Sequence, residues 1–236
     1  MDQIYGGTNW GNLGDPYGYT SYDYGAAISE SRQITREKYS ELKLQAQFLK
    51  VSPSYLTAVP NSLSTGIYSG TTDVTVTPLI GNGSFFVVRH SNATGFDSTT
   101  YKLKVPTNAG QVVLPQLGGS LSLNGRDSKI HVTDYDVAGI NIQYSSAEIL
   151  TWKKFDERKV LVVYGGPEET HEISISINGK ASFVDGPRAD VKIQAVGESV
   201  VINWKSSPQR RIIRVADLDV LILGETMEGV FLSINY

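Results

Sequence analysis

The chain has 236 residues, 40% of them hydrophobic and 19% charged, with a net charge of −3. That length suffices for one large domain or two small ones with a sizeable core, and the slightly acidic balance argues against nucleic acid as partner, because phosphate contact needs clustered Lys and Arg. Cysteine is absent, which removes disulfides and Cys-based metal sites, and no apolar run reaches the ~18 residues of a membrane span.

Residues 5–28, YGGTNWGNLGDPYGYTSYDYGAAI, hold six of the 23 glycines and five of the 13 tyrosines. Glycines let the backbone turn where a side chain would clash, and Tyr and Trp rings offer flat apolar faces with polar tips. The composition suits either a loop lining a sugar pocket or a Gly/Tyr-rich surface loop without a ligand. Ile4 and Tyr5 read as the tip of a strand. A helix is expected from about Thr35, a plausible N-cap, with Glu37 in the first turn where it suits the dipole. Tyr39, Leu42, Ala46 and Leu49 fall at helical spacing and form its expected apolar stripe. Residues 51–73 read as an extended linker, with Pro53 blocking further helix.

From about residue 74 the pattern becomes short β-rich runs. FFVV at residues 85–88 reads as a buried strand, and residues 100–105 alternate. Further runs at 111–114, 121–123, 129–132, 140–144, 147–152, 160–164, 172–177, 181–184, 191–195, 199–204, 211–215 and 220–223 complete the pattern. Asn124-Gly125 and Asn178-Gly179 read as hairpin turns. Many short strands separated by turn residues predict a mainly β, antiparallel β-sandwich-like domain and not a parallel α/β sheet. His90, His131 and His171 lie far apart in sequence without ligand spacing, so packed or solvated strand positions are expected for them, and no metal site. Met1-Asp2-Gln3-Ile4 has neither the basic start nor the apolar core of a signal peptide. Asn82-Gly83-Ser84 and Asn92-Ala93-Thr94 are possible N-glycosylation sites.

GGTNWG, TSYDYGAAISE and ITREKYSELK resemble the end of the catalytic barrel in glycoside hydrolase family 35, the β-galactosidases, and most closely the large fungal secreted ones. FFVVRHSNAT, PQLGGSLSLNGRDSKIHVTDYDVAG, EILTWKKF, VLVVYGGP and WKSSPQRR resemble the all-β second domain of the same enzymes, in the same order. The resemblance implies three regions: residues 1–50, the C-terminal remnant of a (β/α)₈ barrel; 51–73, a linker; and 74–236, the β domain. It fades after Leu223. Family members remove terminal non-reducing β-galactose with retention, using two glutamates and no cofactor or metal, and the fungal ones are secreted. Those glutamates sit on strands before GGTNWG, so this chain is expected to hold no catalytic residue and to be inactive alone. Asp2, Asp15, Asp23 and Glu30 match no catalytic motif. Tyr24, the second tyrosine of TSYDY, is the one substrate-binding residue carried over, as a phenol bonded to a sugar hydroxyl.

The resemblance leaves two functional readings: a fragment of a β-galactosidase, or a β-sandwich module serving as scaffold or weak carbohydrate binder. Without the other barrel strands, residues 1–34 are expected to be loosely ordered or to lie on the β domain. The helix stripe of Tyr39, Leu42 and Leu49 is expected to dock there.

Overall fold

A computed structural model describes residues 3–11 and 20–224. Asp2, Asp15 and the segment after Gly224 lie outside the described residues. The described residues divide into two compact units, one up to Gln47 and one from Phe48 to Gly224.

The described residues of the first unit are tied together by bridges and hydrogen bonds. Tyr5 forms a parallel bridge with Ile28, and Thr8 an antiparallel one with Ser21. Gly6 N–H donates to Ile28 C=O at 2.8 Å and Tyr22 N–H to Gly7 C=O at 2.9 Å. Two strands this close leave no room for a side chain: a Cβ on Gly7 would stand 2.1 Å from the Tyr22 hydroxyl. Ala26 and Ala27 are buried. The helix Arg36–Val51 follows. Thr35 C=O accepts from Tyr39 N–H at 2.8 Å, as an N-cap's does. Its hydroxyl, however, donates to the carbonyls of Ala26 and Ala27, at 2.7 and 2.8 Å, and ties the helix start to the preceding loop.

The expected stripe of Tyr39, Leu42, Ala46 and Leu49 is off by one to two residues, up to about half a turn at 3.6 residues per turn. The helix residues that become buried are Leu44 and Phe48, while Leu49 is exposed. Phe48 belongs to the second unit, where its ring meets Tyr55 and Phe85 edge to face at 5.6 and 5.9 Å. Such pairs contribute about 0.5–1.5 kcal/mol beyond burial. The last carbonyl of the helix, on Val51, accepts from Tyr135 O–H at 2.9 Å and Trp152 Nε1–H at 3.0 Å. Those donors satisfy one of the acceptors that every helix C-terminus leaves open.

The second unit is built on a large sheet. Its spatial order is Val59–Pro60, Val74–Ile80, Ser84–His90, Ser128–Val137, Ile140–Ser145, Thr170–Ile175, Ser199–Lys205, Val191–Val196, with Ser64–Thr65 beside Val74–Ile80. The segment read as a linker thus carries a 3₁₀ turn, Pro53–Leu56, and two short edge strands. A five-stranded sheet runs Glu148–Lys154, Lys159–Gly165, Leu218–Gly224, Arg211–Val215, Ala181–Asp185. Pairing is antiparallel except between Lys159–Gly165 and Leu218–Gly224, which are parallel.

Two cores flank the large sheet. One packs Phe85, Tyr135, Ile142, Ile173, Ile202 and Trp204 with Leu161, Val163, Ile213, Val220 and Ile222 of the five-stranded sheet. The other packs Val76, Phe86 and Val88 against Leu103, Leu114, Leu121 and Leu123. Phe85 and Phe86 therefore enter opposite cores, which is why FFVV runs apolar without alternation: a strand buried on both faces has no polar side.

Three local expectations are corrected. The 100–105 run is two strands: Thr99–Tyr101 pairs Leu121–Leu123, and Leu103–Thr107 pairs Gly110–Leu114. Asn124-Gly125 is not a hairpin turn, because Leu121–Leu123 and Ser128–Val137 pair with different partners. Asn178-Gly179 is not one either: Thr170–Ile175 pairs within the large sheet and Ala181–Asp185 within the five-stranded sheet, so this dipeptide carries the chain across. Tight hairpins occur where the pairs Val137 with Ile140, Val196 with Ser199, and Val215 with Leu218 close. Two of these loops place alanine in the left-handed region, Ala138 at φ 50° and Ala216 at φ 53°. That conformation costs an L residue roughly 1–2 kcal/mol. Ala216 is exposed, so Ala216→Gly is expected to raise urea-measured stability by about 0.5–1 kcal/mol, net of glycine's entropy. An unchanged or lower value would remove strain from the account of this turn.

Candidate functional site

Tyr24 stands at the tip of a tight turn in the first unit. Ala26 N–H donates to Asp23 C=O at 2.8 Å, and the two central residues, Tyr24 and Gly25, have φ of 44° and 68°. This is the pattern of a primed turn, in which glycine is at ease and a bulky ring is strained. The phenol side chain projects outward, 59% exposed. A strained aromatic residue held by surrounding bonds is a reasonable place to look for function.

The carboxylates around it are occupied. Asp23 Oδ2 accepts from Glu30 N–H at 3.0 Å. Glu30 Oε1 accepts from the Thr8 hydroxyl. Hydrogen bonds from Ser21 and Thr8 hold the Glu30 carboxyl below its ordinary range. Both acids thereby fasten the two sides of the Tyr24 loop, Thr8 and Ser21 being the residues that also bridge across it.

In the second unit the fold brings together polar residues that the sequence keeps apart. His131 Nδ1 and His171 Nδ1 both face the carbonyl of Ser146, at 2.8 and 3.3 Å. Tyr101 O–H lies 2.7 Å from His131 Nε2. His171 Nε2 lies 3.1 Å from Glu169 Oε2, which also accepts from Lys129 Nζ at 2.9 Å. Lys129 meets Asp127 at 2.7 Å as well. Burial works against ionising Glu169, but the His171 hydrogen bond and the Lys129 charge outweigh it and lower its pKa to about 2. Gly165 makes room for this cluster: a Cβ there would stand 2.0 Å from His171 Nε2. Apart from Asp127, which is partly exposed, these groups are buried, so they organise the fold and are closed to a substrate. Sequence reasoning missed them because their residues come from distant strands; the one local sign was the Gly-Gly pair in VLVVYGGP. Among the described residues no group of three or more His, Asp or Glu is arranged to hold a metal ion.

Asn82 and Asn92 are both exposed on the second unit. Asn82 sits in the turn between Val74–Ile80 and Ser84–His90, and Asn92 just past His90.

The second unit is a β-sandwich, and the chain belongs to the β-galactosidase domain 2 family, whose model matches residues 57–227. Residues 2–49 match the model of glycosyl hydrolases family 35. Among curated proteins, the chain is 61% identical over 222 residues to beta-galactosidase A of Aspergillus niger, 58% over 221 residues to beta-galactosidase A of Aspergillus oryzae, and 60% over 224 residues to beta-galactosidase A of a Penicillium species. Each match covers 93% of this chain, which spans 22% of the relative's length.

Proposed function

We propose that these 236 residues are one part of an extracellular β-galactosidase, supplying the end of its catalytic barrel and the β domain beside it. The complete protein removes terminal non-reducing β-galactose with retention, through two carboxyl groups about 5–5.5 Å apart. That pair comes from sequence other than this chain. In support, the two described acids of the loop before the helix, Asp23 and Glu30, are committed to holding that loop. Tyr24 is the residue that meets the sugar, its phenol hydrogen-bonded to a galactose hydroxyl and fixing orientation. The observation carrying this assignment is the ring's outward placement on a strained turn that Asp23, Glu30 and Thr8 hold in place. The extracellular reading rests on the resemblance to the secreted fungal β-galactosidases.

Two measurements test the proposal. The purified chain is expected to hydrolyse a chromogenic β-galactoside no faster than blank. Grafted in place of the matching segment of the Aspergillus niger relative, it is expected to sustain hydrolysis. Tyr24→Phe in that hybrid should lower kcat/KM about 10- to 100-fold, the range for a lost sugar hydrogen bond. Turnover by the chain alone, or an unaffected hybrid, would overturn the respective half.

A further inference from the structure

Two neighbouring cavities open on the second unit near Asn92. One, of about 440 Å³, is lined in part by Asp73, Ser91, Asp97 and Thr99. The other, of about 200 Å³, is lined in part by Arg89, Arg126 and Asp127. His90, Asn92 and Gly95 line both, so the sequon asparagine stands where they meet. Asn82 lines neither.

The sequon is already folded into a turn. Asn92 Oδ1 accepts from the backbone N–H of Thr94 at 3.1 Å and from its hydroxyl at 2.8 Å, and Asn92 C=O accepts from Gly95 N–H at 3.2 Å. The amide oxygen is thus turned back onto the chain. The amide nitrogen lies toward Gly95, where a Cβ would stand 3.5 Å from it. Phe96 is 68% exposed, with the Arg126 guanidinium 4.4 Å from its ring centre. The larger cavity, rich in carboxylates and hydroxyls, and the exposed Phe96, which lies in the chain between the lining residues Gly95 and Asp97, together offer the chemistry that a pyranose recognises: hydrogen bonds at the sugar's edge and an apolar contact on its face.

From this geometry we infer that Asn92 carries an N-linked glycan whose first N-acetylglucosamine is seated in the larger cavity. Its polar edge faces Asp73 and Asp97, and its apolar face lies toward Phe96. Attachment joins Asn92 Nδ2 to the anomeric carbon of an oligosaccharide carried on a lipid diphosphate. The bond from that carbon to the diphosphate breaks, the lipid diphosphate departs, and the amide gives up one proton. A glycan on Asn82, an exposed turn residue, has no such seat. The seat depends on the extracellular reading only for its natural occurrence, because the test supplies a secretory pathway of its own.

The experiment secretes the whole chain from yeast behind a cleavable leader. Glycopeptide mass spectrometry reads occupancy, and peptide-N-glycosidase digestion is timed on native and on denatured protein. Asn92 is expected to be occupied. Its glycan should leave the native protein at least about tenfold more slowly than the denatured one, because a seated core must first open. Replacing Phe96→Ala and Asp97→Ala together, both exposed, should bring native release to within about twofold of denatured release, with the thermal melt by circular dichroism showing that the variant is folded. An unmodified Asn92 would overturn the inference. So would fast native release, or slow release that the double variant leaves unchanged while folded.

Discussion

Glu172→Ala is expected to lower unfolding stability by about 3–5 kcal/mol, well above the ~1 kcal/mol of an average substitution. Glu172 is fully buried. Its carboxylate accepts from the backbone N–H groups of Gln116 and Leu117 at 2.6 and 2.8 Å, from Tyr144 O–H at 2.8 Å and from Asn203 Nδ2 at 3.0 Å. Removing it leaves four donors short of an acceptor, and a buried donor without a partner costs about 1–3 kcal/mol. Part of that is recovered, because Asn203 also donates to Gly118 C=O. Burial first, and then the Glu172 charge, push the Tyr144 phenol up, so it stays a donor. Glu172→Gln keeps the shape but turns an amide NH₂ toward donors, and should cost more than half as much. Urea titration reads the stability. Hydrogen exchange at Gln116 and Leu117 separates this account from a general loss of packing: those two amides should exchange fastest of the changes seen. A loss below about 1 kcal/mol, with the two amides still protected, would sink it.

The same residue shows what the sequence could and could not say. PQLGGS stands out in sequence as a family-like motif, but nothing local reveals that its backbone is pinned by a carboxylate more than fifty residues later. Strands were legible wherever burial is simple: the apolar run at residues 85–88 and the alternation at 211–215 both come from side chains meeting one or two cores. Turns were legible only where residue type agreed with backbone. Asn-Gly pairs signal φ above zero, yet here such pairs carry sheet crossings, while two tight hairpins use alanine, which gives no signal. The helix was found and its buried side was not. Leu44 and Phe48 are four apart, as are Leu42 and Ala46, so periodicity alone offered two stripes and tertiary packing chose between them. Tyr24 was legible as a residue through resemblance, but its left-handed backbone was not, since tyrosine there breaks the local rule. Such a break persists only where surrounding bonds hold the strained form, here those of Asp23 and Glu30.

Unfolding stability is also expected to fall steeply between about pH 6.5 and pH 4, with His131 responsible for a slope near 1.4 kcal/mol per pH unit. His131 is 2% exposed. Burial first, and then the charges of Lys129 and His171, lower its pKa from the ordinary 6.5 to about 3. Its folded-state pKa is depressed, so between those values the unfolded chain binds a proton that the folded chain refuses. Stability is therefore whole above about pH 6.5 and drains away as pH falls toward about 3, by about 4–5 kcal/mol in all. Glu169 adds to the lower part of the window. Its carboxylate is lowered from 4.5 to about 2, so its contribution is present above 4.5 and lost as pH falls through about 2. The cage around His131 explains why protonation is resisted: Ser146 C=O takes Nδ1–H, Tyr101 O–H occupies Nε2, and Lys129 and His171 stand close by. A second proton on Nε2 would displace the tyrosine hydrogen bond within a dry interior. Burial also pushes the Tyr101 phenol well up, keeping it a donor throughout. His131→Asn removes the titrating ring, and the variant, though less stable at neutral pH, should show a slope smaller by about one proton across pH 6.5 to 4.5. Carboxylates are mostly ionised in that interval, which makes it the part of the curve that reports histidine. Urea unfolding at a series of pH values on both proteins measures the two slopes directly; parallel curves for the pair would show that His131 is not the group whose protonation opens the fold.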